Sequence, residues 1–399
     1  MSTEPNEPSH EATLPPALNG AAFARIGSYF FLSRLLILAV AALSQRVLFP
    51  GSFAGLGGTW MERFALWDTS WYLDIARNGY FYSAATESSV AFYPLYPLLI
   101  RAVSWLGADS LLAGYIISHL ALACACLFLW KLAALETRSA ETAELAVIFL
   151  LFCPAAVWFG MVYTESLFLL TVLGCILAAR QGRWLTAGAW GFAAALTRTP
   201  GLLLAGFLFL EAGQQWWERR RLAGSTEKDL EPAATASRLS FWRPAAAVAG
   251  PLLGHAAFLA YLQIVFGDWR AQQKTMLMWN AGGLRAPWIA FTMQWKEGLS
   301  FFPAIGFPLL ITVVALGLLS IFTLRRWGYP ALVLLLAVLY LSSTSGHSLP
   351  RYLSTAAPIY LVMAQLAGRS RALEIALLVF SVGLLALLTV LLVNGYHII

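Results

Sequence analysis

One acidic residue in the first quarter of the sequence has neighbours that favour proton-transfer chemistry. Asp68 lies between Trp67 and Trp71, just after the first long apolar stretch. In a helix over residues 67–78, Trp71 and Tyr72 would flank the face that carries Asp68. Aromatic walls exclude water from a carboxylate, which makes Asp68 a candidate general base. The alternative is that Asp68 caps the start of this helix, a position that Asp favours.

Several other ionisable residues border apolar stretches. The topology predicted from the basic residues places them on the same side of the membrane as Asp68. They are Asp74, Glu87, Glu165, Arg198, His347 and Arg351. Ionisable groups at membrane depth cost about 2.5–3.5 kcal/mol on insertion scales, so they are usually paired or functional. Their convergence on one side of the membrane predicts a single site.

Each of these residues also has a structural interpretation. Glu165 could interact with the positive N-terminus of its helix. Arg198 has no acidic neighbour in the sequence, so we predict that it pairs with an anionic ligand or with Glu165. Arg351 could instead extend toward lipid headgroups. Asp74 precedes Arg77 by three residues, a spacing that predicts a solvated ion pair.

The composition indicates which class of protein must position these residues. Only 12% of the 399 residues are charged and 59% are hydrophobic, with a mean hydropathy of +0.70, whereas about 25% charge is typical of soluble domains. Apolar runs of roughly 17–25 residues can each cross a bilayer as a helix. We therefore predict an all-α polytopic membrane protein with about 11 transmembrane helices. The predicted spans are 29–49, 111–135, 144–160, 164–180, 184–197, 199–211, 244–266, 300–324, 328–343, 350–367 and 371–395.

Basic residues predict the orientation of these spans, because cytoplasmic loops carry an excess of Lys and Arg. With the N-terminus inside, every inner loop holds at least two basic residues, and the loop 212–243 contains the cluster Arg219–Arg221. This orientation predicts a disordered cytoplasmic tail over 1–24 and a single integral membrane domain over 25–399. The first outer loop, 50–110, then carries Asp68 and many aromatic residues that suit the headgroup level of a bilayer.

Two stretches are ambiguous in length or polarity. Residues 184–211 are predicted to form two short segments, because the Pro-Gly pair at 200–201 breaks a helix. A single span there would also place Arg219–Arg221 outside. Broken helices at membrane depth are tolerated where they line a cavity. Residues 90–108 are apolar but hold two prolines and Arg101, which predicts a juxtamembrane helix on the outer surface.

Several other functions lack support in the sequence. The net charge of +6 comes from basic residues scattered among the loops, so it does not indicate nucleic-acid binding. A Walker-type Gly-rich loop is missing, which disfavours use of nucleoside triphosphates. The sequence contains no His, Cys and carboxylate cluster with the local spacing of a metal site. The four cysteines lie in apolar runs and are interpreted as small buried hydrophobes. We predict no cofactor, and a divalent-metal requirement stays open.

Motifs between about residues 25 and 365 occur in the order of a known family. They are Trp67-Asp68 … Trp71-Tyr72-Leu73, then Glu87 with Ala91-Phe92-Tyr93-Pro94-Leu95-Tyr96-Pro97, then Pro154-Ala155 … Tyr163-Thr164-Glu165, then Arg198 … Gly201, and finally Pro350-Arg351-Tyr352. In content and spacing they resemble the signature of the PIG-V-like mannosyltransferases, which belong to the GT-C class of membrane glycosyltransferases. Cys153 and Pro200 depart from the family pattern, which usually has Asn at both positions.

The resemblance implies a fold, an activity and a set of site residues. It implies a GT-C-like bundle and an inverting sugar transfer, with mannose moving from a polyprenyl-phosphate donor to a membrane-associated or lipid-linked glycan acceptor. The reaction would take place on the extracytoplasmic face of a bacterial plasma membrane or of the endoplasmic reticulum. Asp68 is expected to be the catalytic base. Substrate contacts are expected from Trp67, Trp71, Tyr72, Glu87, Tyr163, Glu165, Arg198, His347, Arg351 and Tyr352.

Two other classes of function are possible from the residues alone. A lipid or glycolipid transporter or flippase would also have intramembrane charges and broken helices. Transporters usually show internal repeats and midplane polar groups, whereas this sequence shows no repeat and its polar groups lie on one side. A non-catalytic membrane scaffold would leave Asp68 and its tryptophans without an explanation.

Overall fold

The computed structural model describes residues 14–48, 60–224, 242–279, 285–297, 302–342 and 348–396. Within these ranges the regular secondary structure is helical and no strand occurs. The α-helices are α1 (Gly20–Leu43), α2 (Trp60–Arg63), α3 (Asp68–Asn78), α4 (Leu95–Ser104), α5 (Ser110–Thr137), α6 (Ala140–Leu151), α7 (Glu165–Arg180), α8 (Trp184–Ala195), α9 (Leu203–Gly224), α10 (Trp242–Phe266), α11 (Ala271–Trp279), α12 (Pro287–Glu297), α13 (Phe307–Thr323), α14 (Gly328–Leu341), α15 (Leu349–Leu353), α16 (Pro358–Ala367) and α17 (Arg371–Val393).

Five of the described helices are long and apolar enough to cross a membrane. They cover Gly20–Val47, Ser110–Thr137, Trp242–Phe266, Ala304–Thr323 and Arg371–Val393. A helix satisfies its own backbone hydrogen bonds, which lipid cannot do, so apolar helices are the form that such sequences adopt in a bilayer. The prediction of an all-α polytopic membrane protein is confirmed, while the number of 11 spans stays a prediction.

Two predicted spans are interrupted. The span predicted over 144–160 ends as a helix at Leu151, and an irregular segment follows, with a 3₁₀ turn at Trp158–Gly160. Pro154 explains the interruption, because proline lacks the N–H that helix continuation requires. The span predicted over 350–367 consists of the short α15 and the separate α16, which begins at Pro358.

The predicted break in residues 184–211 is confirmed. Helix α8 ends at Ala195, a 3₁₀ turn covers Thr199–Leu202, and α9 starts at Leu203. The turn packs against α8 so closely that a β-carbon at Gly201 would lie 2.4 Å from backbone atoms of Ala194 and Ala195. A glycine is therefore required where the two segments meet.

The segment predicted to form the first outer loop folds onto the bundle through its own short helices. The helix predicted over 67–78 is α3, and the juxtamembrane helix predicted over 90–108 is α4. Leu95 N–H donates to the Leu196 carbonyl at the end of α8, over 3.0 Å. The buried Tyr96 hydroxyl bonds Ser118 of α5 over 2.7 Å. These contacts fix α4 against α5 and the end of α8.

The predicted tail and inner loop are shorter than expected. Asn19 caps α1, so residues 20–24 of the predicted 1–24 tail are helical, and residues 1–13 lie outside the described residues. Helix α9 continues to Gly224, so the predicted loop 212–243 is helical up to that residue. The division into one tail and one membrane domain stays a prediction.

Candidate functional site

Asp68 is the first residue of α3 and follows a backbone turn in an unusual conformation. Trp67 has φ 44° and ψ −106°, a left-handed region that is strained for a bulky residue and that is typical of functional sites. Trp67, and not Asp68, is the N-cap residue of α3. Its Oδ2 accepts a hydrogen bond from Arg351 Nη1 over 2.9 Å. The capping interpretation of Asp68 is therefore wrong.

Arg351 lies on α15 and is buried, with 4% of its side chain exposed. Besides Asp68, its Nη2 donates to the Tyr352 hydroxyl over 2.8 Å. Its Nε lies 3.0 Å from Glu165 Oε1 in an ion pair that lacks hydrogen-bond alignment. The alternative interpretation, in which Arg351 extends toward lipid headgroups, is wrong, because the guanidinium points into the protein between two carboxylates.

Glu165 is the first residue of α7 and joins two arginines. Its Oε1 accepts a hydrogen bond from Arg198 Nη1 over 2.6 Å and also faces Arg351. Of the two partners predicted for Arg198, the pairing with Glu165 is therefore confirmed. Only 1% of the Glu165 side chain is exposed, and its Oε2 has no hydrogen-bond partner in the described part of the chain.

The four charged residues thus form one chain in the order Asp68–Arg351–Glu165–Arg198. Two carboxylates alternate with two guanidinium groups, so the charges balance within the cluster. Asp68 has the most exposed side chain of the four, at 21%. A substrate hydroxyl would therefore reach Asp68 before it reached Glu165, and an anionic group would find its partners in the two arginines.

Tyrosine rings hold the two guanidinium groups in place. The Cζ atoms of Arg198 and Arg351 each lie 4.6 Å from the ring centroid of Tyr352. Tyr352 in turn stacks on Tyr340, with centroids 4.5 Å apart. Arg351 also lies 5.0 Å from the Tyr163 ring. Cation–π contacts of this kind favour a charged and fixed guanidinium.

Trp71 and Tyr72, which were predicted to flank Asp68, both pack on Phe92. Trp71 stacks on Phe92 with centroids 5.7 Å apart, and the Tyr72 ring meets Phe92 edge-on. The buried Tyr72 hydroxyl lies 3.4 Å from Thr164 Oγ1, next to Glu165. Burial, followed by the negative charge of Asp68, raises the pKa of Tyr72 well above its ordinary value. Tyr72 therefore stays a neutral hydrogen-bonding group at physiological pH.

Three other sequence-predicted residues have different outcomes. Glu87 is exposed and makes no ion pair with the described residues, so it does not join the cluster. His347 lies outside the described residues. The predicted Asp74–Arg77 pair is wrong, because Asp74 accepts a hydrogen bond from Asn78 over 2.6 Å.

The sequence reasoning missed Tyr340 as a part of the site. Tyr340 lies on α14 in an otherwise apolar run, where a tyrosine near a helix end was the only signal. It also missed a neighbouring polar group, in which the Tyr93 hydroxyl lies 3.0 Å from His255 Nδ1 and 3.5 Å from Gln272 Oε1. Among the described residues, no group of His, Cys, Asp and Glu side chains could hold a metal ion.

Known proteins share parts of this sequence. One curated relative, GPI mannosyltransferase 2 of Drosophila pseudoobscura pseudoobscura, is 29% identical over 155 residues, covering 35% of this chain and 33% of the relative. The protein of the same name from Schizosaccharomyces pombe is 28% identical over 150 residues, covering 37% of this chain and 31% of the relative. The matched region thus spans about a third of each curated relative.

Two solved structures show limited similarity to this chain. ArnT from Cupriavidus metallidurans, bound to undecaprenyl phosphate, is 13% identical, with a TM-score of 0.47 over 91% of this chain and 76% of ArnT. The archaeal oligosaccharyltransferase AglB from Archaeoglobus fulgidus, in complex with an inhibitory peptide and a dolichol-phosphate, is 12% identical, with a TM-score of 0.47 over 95% of this chain and 56% of AglB.

The match to a protein family is broader than either curated alignment. Residues 28–264 match the family described as Mannosyltransferase (PIG-V), which is more than half of the 399 residues. The matched region contains Asp68, Glu165 and Arg198. The chain belongs to the mannosyltransferase (PIG-V) family.

Proposed function

We propose that this protein is an inverting mannosyltransferase that moves mannose from a polyprenyl-phosphate donor to a membrane-associated acceptor on the extracytoplasmic side. The family supports the sugar and the reaction class. The observation that carries the mechanism is the charged chain Asp68–Arg351–Glu165–Arg198. It combines a carboxylate that solvent can reach with two fixed cations, as such a transfer requires.

Asp68 acts as the general base in this proposal. The acceptor oxygen forms a bond to the anomeric carbon of mannose while the bond from that carbon to the phosphate oxygen breaks. Asp68 takes the proton of the acceptor hydroxyl, a contribution that is typically about 10²–10⁴-fold in rate. Attack from the face opposite to the phosphate inverts the configuration at the anomeric carbon.

The two arginines stabilise the leaving phosphate. Its negative charge grows as the bond to mannose breaks, and preorganised cations at that position lower the barrier. Arg351 Nη1 donates a hydrogen bond to Asp68 Oδ2 over 2.9 Å. A donor phosphate that engages Arg351 would draw this nitrogen away from Asp68 and leave its carboxylate available to the acceptor. Donor binding would thus precede activation of the base.

The experiment that tests the proposal compares two Asp→Asn variants on the same helix. The purified protein is incubated with a short-chain polyprenyl-phosphate mannose and a panel of alkyl glycosides and cell lipids, and labelled product is measured. We expect Asp68→Asn to abolish transfer, because it keeps the shape of the side chain and removes the base. Asp74→Asn should stay near the wild-type rate, since Asp74 bonds only Asn78 among the described residues.

Three results would contradict the proposal. Near-normal transfer by folded Asp68→Asn protein would exclude Asp68 as the base. A product with the same anomeric configuration as the donor would exclude the inverting displacement. Movement of intact lipid across the membrane of vesicles, with no transfer by the wild-type protein, would instead favour the transporter.

A further inference from the structure

The motif at residues 91–97 carries a buried hydroxyl group that the charged chain does not use. Tyr93 is only 4% exposed, and its hydroxyl lies 3.0 Å from His255 Nδ1 on α10 and 3.5 Å from Gln272 Oε1 on α11. Burial raises the pKa of Tyr93, so the hydroxyl keeps its proton at physiological pH. A phenylalanine would pack equally well, so the hydroxyl and its partners need another explanation.

The same hydroxyl reaches the turn that follows Arg198. The Thr199 side chain is a hydrogen-bonding partner of Tyr93, and Thr199 opens the 3₁₀ turn directly after Arg198. On the other side of Arg198, the Leu196 carbonyl accepts a hydrogen bond from Leu95 N–H over 3.0 Å. Leu196 also packs against the apolar cluster that contains Tyr93. The motif therefore lies directly against the backbone on both sides of Arg198.

Arg198 depends on such flanking contacts because it lies between two helical elements. Its backbone is extended, with φ −160° and ψ 151°, and its side chain does not cap the turn. Before it, the Thr197 hydroxyl donates to the Ala193 carbonyl over 2.8 Å. After it, the Thr199 side chain interacts with Tyr93. The position of Arg198 is thus set by one fixed residue on each side.

A shift of this backbone would reach the charged chain. Arg198 Nη1 donates to Glu165 Oε1 over 2.6 Å, and a hydrogen bond weakens steeply when its geometry departs from the favourable range. In enzymes, a misplacement of about 1 Å that originates far from the reacting atoms can cost about 10²-fold in rate. The Tyr93 hydroxyl can therefore influence Arg198 without contacting a substrate.

We propose that Tyr93 is a positioning residue whose hydroxyl, held by His255 and Gln272, fixes Arg198 for binding of the donor phosphate. This inference rests on the proposed function, in which Arg198 stabilises the leaving phosphate. Tyr93 acts through Thr199 and does not touch the sugar. His255 and Gln272 anchor its hydroxyl to α10 and α11.

Donor titrations of the purified full-length protein, without acceptor, test the proposal. The probe is the short-chain polyprenyl-phosphate mannose. We expect Tyr93→Phe to weaken donor binding by about threefold to tenfold, the effect of one lost hydrogen bond, with little change in the KM for the acceptor. When Arg198→Ala is already present, Tyr93→Phe should not weaken donor binding further, because the group that it positions is gone. An equal loss with and without Arg198→Ala would overturn the proposal.

Tyr82→Phe is the matched control. The Tyr82 hydroxyl bonds Asp268 over 3.3 Å, in the segment between α10 and α11. Among the described residues it makes no hydrogen bond to the turn that follows Arg198. Tyr82→Phe should therefore bind the donor like the wild type. Equal losses in Tyr82→Phe and Tyr93→Phe would indicate a general loosening of residues 80–93 and would overturn the proposal.

Variants of His255 test how the hydroxyl is anchored. His255→Leu removes a partner of Tyr93 and should weaken donor binding in the same way as Tyr93→Phe. His255→Asn offers a side-chain amide near the place of Nδ1, so it should retain most of the donor affinity. Wild-type donor affinity in His255→Leu would overturn the anchoring role of His255.

Amide exchange separates failure of this inference from failure of the proposed function. In the protein without ligand, Tyr93→Phe should speed hydrogen–deuterium exchange at residues 196–203 relative to Tyr82→Phe, because a turn that loses a contact opens more often. Unchanged exchange with unchanged donor affinity would overturn the proposal. Faster exchange in a protein that binds no donor would contradict the proposed function, while it would support the hold of Tyr93 on the turn beside Arg198.

Discussion

Glu165 Oε1 forms ion pairs with two guanidinium groups, through Arg198 Nη1 at 2.6 Å and Arg351 Nε at 3.0 Å. Arg351 is also bound to Asp68, so each charge in the cluster depends on a neighbour. Removal of one partner from a buried ion pair leaves an uncompensated charge, which costs more than the pair itself contributes. Glu165 therefore fixes the positions of both arginines.

Substitution of Glu165 tests this interdependence. We expect Glu165→Gln to lower the free energy of unfolding by roughly 3–5 kcal/mol, because two buried cations lose their shared carboxylate. The double variant Glu165→Gln with Arg198→Met should be more stable than Glu165→Gln alone, since it removes one of the unpaired cations. Thermal unfolding in detergent measures both effects. A double variant that is no more stable than Glu165→Gln alone would show that Glu165 and Arg198 are not coupled.

The donor affinity of arginine variants tests the phosphate role. Loss of a charged hydrogen bond costs about 1.5–3 kcal/mol, so Arg198→Ala and Arg351→Ala should each weaken donor binding by that amount, with a smaller effect on the acceptor. Lysine at either position should restore only part of the donor affinity, because it cannot form the bidentate fork of a guanidinium. Arg77→Ala, at an exposed arginine near Asp109, is the control. Unchanged donor titrations for the four Arg198 and Arg351 variants would refute the role.

The composition of this cluster could be predicted from the sequence, but its contacts could not. The topology predicted from the basic residues places Asp68, Glu165, Arg198 and Arg351 on one side of the membrane. The Asp68–Arg351 bond joins residues 283 positions apart, and no local spacing reveals such a pair. Glu87 shares the same sequence signals, yet it is exposed, since only tertiary packing decides which charges meet.

At the scale of elements, a broken helix places Arg198 in the site. Arg198 lies in extended backbone between α8 and the 3₁₀ turn at Thr199–Leu202. Its side chain can therefore leave the helix axis and reach Glu165. The sequence predicted the break from Pro200 and Gly201, but it did not reveal that Gly201 contacts the α8 backbone.

Alanine substitution at two glycines tests this close contact. Gly201→Ala would place a β-carbon 2.4 Å from backbone atoms of Ala194 and Ala195, so the turn must shift. We expect lower thermal stability and slower transfer, because a shift of the turn would displace Arg198, which immediately precedes it. Gly206→Ala is the control on α9, where nothing lies within 4 Å of an added β-carbon. It should be neutral or stabilising by up to about 1 kcal/mol, since Ala favours helices over Gly. Equal thermal stability and equal transfer rates for the two variants would contradict the close contact between Gly201 and α8.

The irregular segment between α6 and α7 shows the limit of periodicity. Residues 144–160 are apolar throughout, so a continuous span was predicted, but Leu151 ends the helix. The freed carbonyls are bonded by side chains from distant helices, as Ser381 bonds Phe152. Hydropathy shows that such a segment is apolar. It does not show the backbone conformation, which depends on these tertiary partners.

At the scale of the whole molecule, charged groups cluster at both ends of α7. Glu165 begins this 16-residue helix and Arg180 ends it, about 22 Å away at the rise of an α-helix. Arg180 bonds Glu136 of α5 and lies 2.9 Å from Glu211 of α9. Glu211 also lies 3.6 Å from Arg326, just before α14. This second network ties α5, α7 and α9 to the segment before α14 at the end remote from Asp68.

Cysteine labelling in intact cells tests which end faces the cytoplasm. Arg219–Arg221 follow Glu211 on α9, so the positive-inside rule predicts that the Arg180 end is cytoplasmic and the Asp68 end external. With the native cysteines replaced by alanine, Ser83→Cys should react with an impermeant maleimide added outside. Ser225→Cys should react only after the membrane is permeabilised. Reaction of both from the same side would refute the topology, and a reversal would place the Asp68 cluster, and any transfer there, on the cytoplasmic face.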